Sequence, residues 1–230
     1  MKKIAIITAR GGSKRIHRKN IKPFLGKPII VYSIQAALES NLFDEVMVST
    51  EDEEIAEISR AYGAKVPFLR SQENADDFAT TADVILEVLA EYQRTGVAFD
   101  YGCCIYPTAP FVTATTLKKA FEKMEKEQLD SIFPVLPFSF PIQRAVKINP
   151  DQRIAMFQPK HSNSRSQDLE KAYHDSGQFY WFTTKYLQIE KKLWGANTGV
   201  LVLSEMEAQD IDTEEDWKVA EFKYKILLEK

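Results

Sequence analysis

The chain has 230 residues, 44% apolar and 27% charged, with a formal net charge of −3, enough for one substantial core and balanced like an ordinary soluble protein. No apolar run reaches the ~18 residues of a membrane span, and the chain opens on a strand rather than on a leader's long apolar region, so no membrane association and a cytoplasmic location are expected. Cys103 and Cys104 are adjacent in an apolar run and should point to opposite faces of a strand, where they do not easily bridge and read as buried, reduced packing residues; His17, His161 and His174 have no metal-ligand spacing.

Short apolar runs alternate with helical patterns through the first 135 residues, which predicts a parallel sheet covered on both sides. The first strand, Lys3 to Thr8, runs into a loop that carries Arg10, Lys14, Arg15, Arg18, Lys19 and Lys22 and no acid. Like charges so crowded repel, and a folded chain tolerates them best around a polyanion. Gly11 and Gly12 can take φ > 0 and turn their N–H groups toward phosphate oxygens. Read this way the loop is a triphosphate cradle at the carboxyl end of a strand, where open α/β sheets bind ligands. Neither G-x-x-x-x-G-K-[ST] nor G-x-G-x-x-G is present. A solvated basic loop is the plainer alternative. Nucleic acid fits less well, because the pI is ≈ 5.8 and the excess positive charge is confined to this loop.

Pro28 is expected to open a helix that ends near Ser40, and Glu45 to Ser49 forms the second strand. Thr50-x-x-Glu53 reads as a capping box for a helix that stops at Gly63, with the acids Glu51 to Glu54 at its positive end and no chemistry assigned to them. Lys65 to Leu69 reads as a short strand near an edge, broken by Pro67. Residues 70–81 are irregular and polar; Asp76, Asp77, Thr80 and Thr81 precede a helix through Ile85, Leu86 and Leu89, where hydroxyls commonly cap. Strand Tyr101 to Tyr106 runs into Pro107-Thr108-Ala109-Pro110, a forced turn at the sheet's ligand-binding edge. A helix from Thr113 to Glu127 leads to strand Ser131 to Val135.

The alternation then stops. Residues 136–176 mix aromatics with four prolines and read as an inserted subregion of one domain spanning 1–230. Gln178 to Phe182 and Gly199 to Leu203 are strand-like, and a last helix, Glu214 to Leu228, should bury Trp217, Ala220, Phe222 and Tyr224. Ahead of it, Asp210 and Asp212 fall two apart in an extended segment, on the same side, where they could address one hard cation such as Mg²⁺. A helix cap by Asp212 or Thr213 explains the same residues equally well.

The run Ala9-Arg10-Gly11-Gly12-Ser13-Lys14-Arg15-Ile16-x-Arg18-Lys19-Asn20-Ile21 resembles the nucleotide-binding signature of the cytidylyltransferases that activate nonulosonic acids. Asp210-Ile211-Asp212-Thr213-x-x-Asp216 resembles their metal-binding end. Phe140 to Ala145, Ser164 to Asp168 and Ala172 to Trp181 resemble the pseudaminic acid branch of that family. The resemblance implies a three-layer, Rossmann-like α/β fold with a mostly parallel sheet, helices on both faces, and an insertion at 136–176 that covers substrate and makes a homodimer. It implies CTP and a nine-carbon acid sugar as substrates, pseudaminic acid above all, and a CMP-sugar and pyrophosphate as products.

On that resemblance the nucleotide contacts fall on Ala9, Arg10, Gly11, Gly12, Ser13, Lys14, Lys19, Asn20, Arg70, Thr80 and Thr81. Arg10, Lys14 and Lys19, with Mg²⁺ held by Asp210 and Asp212, form the catalytic set. The sugar falls to Tyr106, Gln143, Arg144, Arg165, Gln167, His174 and Gln178, whose arginines can take a carboxylate through two hydrogen bonds. Flanking aromatics would offer apolar faces to the sugar, and Phe179 to Trp181 read equally well as core or interface residues. Thr8 and His17 stand where the signature usually carries proline, which loosens the loop without touching the chemistry. Two alternatives stand beside this reading: the same reaction on N-acetylneuraminic or legionaminic acid, and a non-catalytic nucleotide-binding regulator, against which the aspartate pair argues.

Overall fold

The computed structural model describes residues 1–75 and 79–229, so Asp76 and Asp77 lie outside the described residues. Strand β1 (Lys3–Thr8) leads through the cation loop to a tight hairpin, β2 (Pro23–Phe24) and β3 (Lys27–Pro28). Its turn residues Leu25 and Gly26 both have positive φ, 46° and 93°, as a two-residue hairpin turn requires. Pro28 therefore ends a strand, and helix α1 starts two residues later (Ile30–Ser40). After β4 (Glu45–Ser49), helix α2 spans Glu53–Ala61 and its cap is Asp52, which accepts the Ile55 N–H, not the expected Thr50. The segment expected as a strand at Lys65 to Leu69 is reduced to one bridge, Met47 to Lys65, at the sheet edge.

Helix α3 (Thr81–Arg94) follows the polar segment as expected, and β5 (Tyr101–Ile105), α4 (Ala114–Glu127) and β6 (Ser131–Pro137) lie within two residues of their expected limits. The 136–176 region holds a small hairpin, β7 (Val146–Ile148) with β8 (Ile154–Met156), and returns to the sheet through β9 (Tyr173–Asp175), antiparallel to β6. Then come β10 (Phe179–Thr183), helix α5 (Thr184–Glu190), which the sequence reading did not anticipate, β11 (Thr198–Val202) and α6 (Glu214–Leu228). On α6, Trp217 and Ala220 are buried, but Phe222 is 67% exposed, contrary to expectation. It lies five residues from Trp217, on the opposite side of a 3.6-residue turn.

The main sheet runs β11-β6-β10-β5-β1-β4. All pairs along it are parallel except those of β10, which is antiparallel to both β5 and β6, so the sheet is mixed but mostly parallel. Alternate residues feed two cores. Ala5, Ile7, Val48 and Cys103 pack with α1, α2 and α4, whereas Ile4, Ile6, Met47 and Cys104 pack with α3 and Leu187 of α5. The adjacent cysteines are thus buried on opposite faces and unbridged. Gly102 lies where the Phe182 ring crosses the sheet; a Cβ there would sit 2.3 Å from the ring. A third cluster joins Ile16 of the cation loop, Phe24, Tyr32 and Phe111 to Ile211 and Trp217, which draws α6 against the loop that follows β1. Among the described residues no helix is long and apolar enough to cross a membrane.

Candidate active site

Thr8 pairs with Ser49 and Ile7 with Ile105, so β1, β4 and β5 end together. The segments that leave them, with the start of α3, enclose a cavity of about 700 Å³. Of the residues expected to hold ligands, Arg10, Ser13, Lys14, Lys19, Asn20, Arg70, Thr81 and Tyr106 line it. Thr8, Asn74 and Thr108 line it as well and were not anticipated. Arg70 is 7% exposed and donates to the Ser49 hydroxyl at 3.0 Å. Burial lowers its pKa from the ordinary arginine value, with Glu51 and Glu87 acting in the other direction. Asn20 is buried and its amide donates to the Arg10 carbonyl at 2.8 Å, which ties the two arms of the cation loop together.

The segment before α6 meets the cation loop beside this cavity, although neither Asp210 nor Asp212 lines it. Arg15 pairs with Asp212 at 2.6 Å, Lys19 donates to the Ile211 carbonyl at 2.7 Å and lies 3.6 Å from Asp212, and Lys22 pairs with Glu214 at 2.6 Å. The helix cap belongs to Thr213 in a reciprocal box with Asp216, so Asp212 is not the cap of α6. Partial burial and then the charge of Asp212 raise the pKa of Asp210, with Lys19 opposing. Two carboxylates that repel in this way suit a cation, and Mg²⁺ takes one or two protein carboxylates with water and phosphate oxygens completing its shell. Among the described residues no group of three or more His, Cys, Asp or Glu forms a fuller metal cage. The donor set at Asp210 and Asp212 therefore fits Mg²⁺.

Several expected roles meet a different geometry. Neither Gly11 nor Gly12 has positive φ. The Gly11 N–H donates to Glu51 at 2.7 Å, and a Cβ on Gly11 would lie 2.5 Å from an Asp52 carboxylate oxygen, so this glycine serves close approach to an acid. Ala9 is fully buried, its N–H on the Ser49 carbonyl. Thr80 caps α3 in a box with Asp83 and does not line the cavity. Gln178 is buried, its amide donating to the Glu207 carbonyl at 2.7 Å and its Oε1 without a hydrogen-bond partner.

The expected sugar residues within 136–176 do not line this cavity. Gln143 donates to the Glu170 carbonyl, and Arg144 shares a separate cavity of about 520 Å³ with Phe138, Phe140 and Ser166. Arg165, Gln167 and His174 are exposed and line neither cavity. A further cavity of about 570 Å³, formed by Thr80, Thr81, Ala82, Lys191, Lys192, Leu193 and Trp194, shares Thr81 with the first. Its signal in the sequence is Lys191-Lys192-Leu193-Trp194 between two sheet strands, with the tryptophan 60% exposed. The acids after β4 were also missed as site residues: Asp52 and Glu54 bind Arg18, and Glu51 binds Gly11.

A family model described as cytidylyltransferase matches residues 4–195. The pseudaminic acid cytidylyltransferase of Campylobacter jejuni subsp. jejuni serotype O:2 is 46% identical over 226 residues, 98% of this chain and 97% of the relative. The CMP-N,N'-diacetyllegionaminic acid synthase of Legionella pneumophila is 34% identical over 96% of this chain and 95% of its own. Among solved structures, CMP:2-keto-3-deoxy-manno-octonic acid synthetase complexed with CTP superposes with a TM-score of 0.73, covering the whole of both chains at 18% identity, a likeness of fold.

Proposed function

We propose that this chain, which belongs to the cytidylyltransferase family, transfers CMP from CTP to pseudaminic acid and releases pyrophosphate. The observation that carries the reading is the meeting of the cation loop with the Asp210–Asp212 segment beside one 700 Å³ cavity. A polyanionic triphosphate repels an attacking oxygen until its charge is neutralised, and Arg10, Lys14 and Lys19 line the cavity as the groups to do so. Asp210 and Asp212 would hold Mg²⁺, which when bound supplies further charge neutralisation at the phosphates. Arg70, Asn74, Thr81 and Thr108 line the rest of the cavity and are assigned to the cytidine half.

In the reaction the sugar's anomeric hydroxyl oxygen bonds to the α-phosphorus, the bond from that phosphorus to the bridging oxygen breaks, and the hydroxyl proton leaves to solvent. Tyr106 and Thr81 border the cavity on the side of Lys191, Lys192 and Trp194, a cationic and aromatic shelf suited to a sugar carboxylate and an apolar ring face. Gln143, Arg144, Arg165, Gln167 and His174 lie outside the nucleotide cavity, and we assign them to the sugar through a homodimer built on residues 136–176. On this reading the chain is one domain with that insertion as its substrate-covering and dimer-forming part, and its use of CTP fits a cytoplasmic enzyme.

The test is pyrophosphate release by the purified protein with CTP and Mg²⁺, comparing kcat/KM for pseudaminic, legionaminic and N-acetylneuraminic acids. Preference for pseudaminic acid and loss of release with EDTA are expected. Release with another of the three alone would move the specificity, and none from a folded protein would remove the activity.

A further inference from the structure

Arg18 belongs to the cation loop but does not line the cavity, although Arg15, Ile16, Lys19 and Asn20 around it do. It sits at φ 52°, ψ 34°, a left-handed conformation that disfavours a residue with a side chain. Its guanidinium turns instead to the start of α2, with both terminal nitrogens on the Asp52 carboxylate and one of them also on Glu54. The same residue's carbonyl accepts the N–H groups of Ile21 and Lys22 and so begins the turn that carries Lys19 and Asn20 toward the cavity. Asp52 is itself fixed, because its side chain caps α2 on the Ile55 N–H.

We infer that Arg18 and Asp52 form a latch that holds the loop in its nucleotide-binding shape, so that Arg18 positions the CTP-binding groups and is not a phosphate ligand. The other arm of the loop closes on the same acidic segment, through the Gly11 N–H on Glu51 and the close approach of Gly11 to Asp52. On the far side Arg15, Lys19 and Lys22 are tied to residues 211–214. The latch therefore fastens the loop to a helix that touches the sheet core, and the loop is ordered before a ligand arrives rather than at the expense of binding. Displacement of phosphate-holding groups by as little as an ångström is enough to weaken their contacts severely. The inference takes CTP as ligand from the proposed function and rests on it to that extent.

The test compares Arg18→Ala, Arg18→Lys, Asp52→Asn and the double variant Arg18→Ala/Asp52→Asn in the full chain, reading CTP Kd by calorimetry and both kcat and KM for pyrophosphate release. Asparagine keeps the helix cap while removing the charge that Arg18 grips. Arg18→Ala should weaken CTP binding about tenfold while kcat changes by less than about threefold, and lysine should recover part of the loss. Asp52→Asn should act in the same direction, and the double variant should be no weaker than Arg18→Ala, since one latch is broken either way. A CTP Kd within twofold of the parent in Arg18→Ala, or single effects that simply multiply in the double variant, overturns the latch. Because Kd needs no turnover, a parent protein that binds CTP yet releases no pyrophosphate sinks the activity and leaves the latch to be judged on binding.

Discussion

Asp52 shows how one side chain can carry two loads. It caps α2 and grips Arg18, and the hydrogen bonds from Arg18 hold its carboxyl below the ordinary aspartate pKa. A depressed folded-state pKa contributes stability that is present above the unfolded value of ~3.9 and is lost as pH falls through the folded value. In thermal melts the Tm gap between the parent and Asp52→Asn should accordingly be full near neutral pH and close progressively below pH ~4; a gap independent of pH would show that the charge contributes nothing. Asp212 carries a different load. With the α6 cap assigned to Thr213, its carboxylate is left to Arg15 and Lys19. Asp212→Ala is expected to lower kcat by about 10²–10³ while CTP affinity falls far less, as steady-state kinetics beside calorimetry would read. Activity equal to the parent's would leave the residue a purely structural partner of Arg15.

Helix α3 places Thr80 and Thr81 side by side and gives them different duties: Thr80 closes the capping box with Asp83, while Thr81 faces the cavity with its hydroxyl 3.4 Å from that of Tyr106. Thr80→Ala should therefore cost ~1 kcal/mol and lower Tm by roughly 2–4 °C with the CTP KM unchanged. A raised KM without a change in Tm would transfer Thr80 to the ligand. Strand β10 brings the aromatic run Phe179 to Phe182 into the middle of the sheet, with Phe182 filling the space over Gly102. Phe179 to Trp181, which the sequence left between contact with the sugar and a place in the core or an interface, are buried in the core, with Phe179 and Trp181 on one face and Tyr180 and Phe182 on the other.

At the scale of the molecule, the stretch 136–176 leaves Phe140, Ile148, Ile154 and Phe157 at 63–82% exposure, more apolar surface than a chain with a filled core needs to show. If these residues meet a second copy, light scattering should give twice the 26.3 kDa chain mass, and Phe140→Asp with Ile154→Asp should halve it; a parent that already runs as one chain would refute the homodimer. Sequence by itself determined the alternation of strands and helices, the split of the adjacent cysteines between two cores and the character of the cation loop, because period, capping residues and local charge act within a few residues of chain. It did not determine that β10 runs against its neighbours or that Arg18 turns away from the cavity. Nor did it decide that Asp212 faces Arg15 instead of the α6 helix end. Those depend on which segments, up to 197 positions apart, the packed cores bring into contact, and only the tertiary structure chose them.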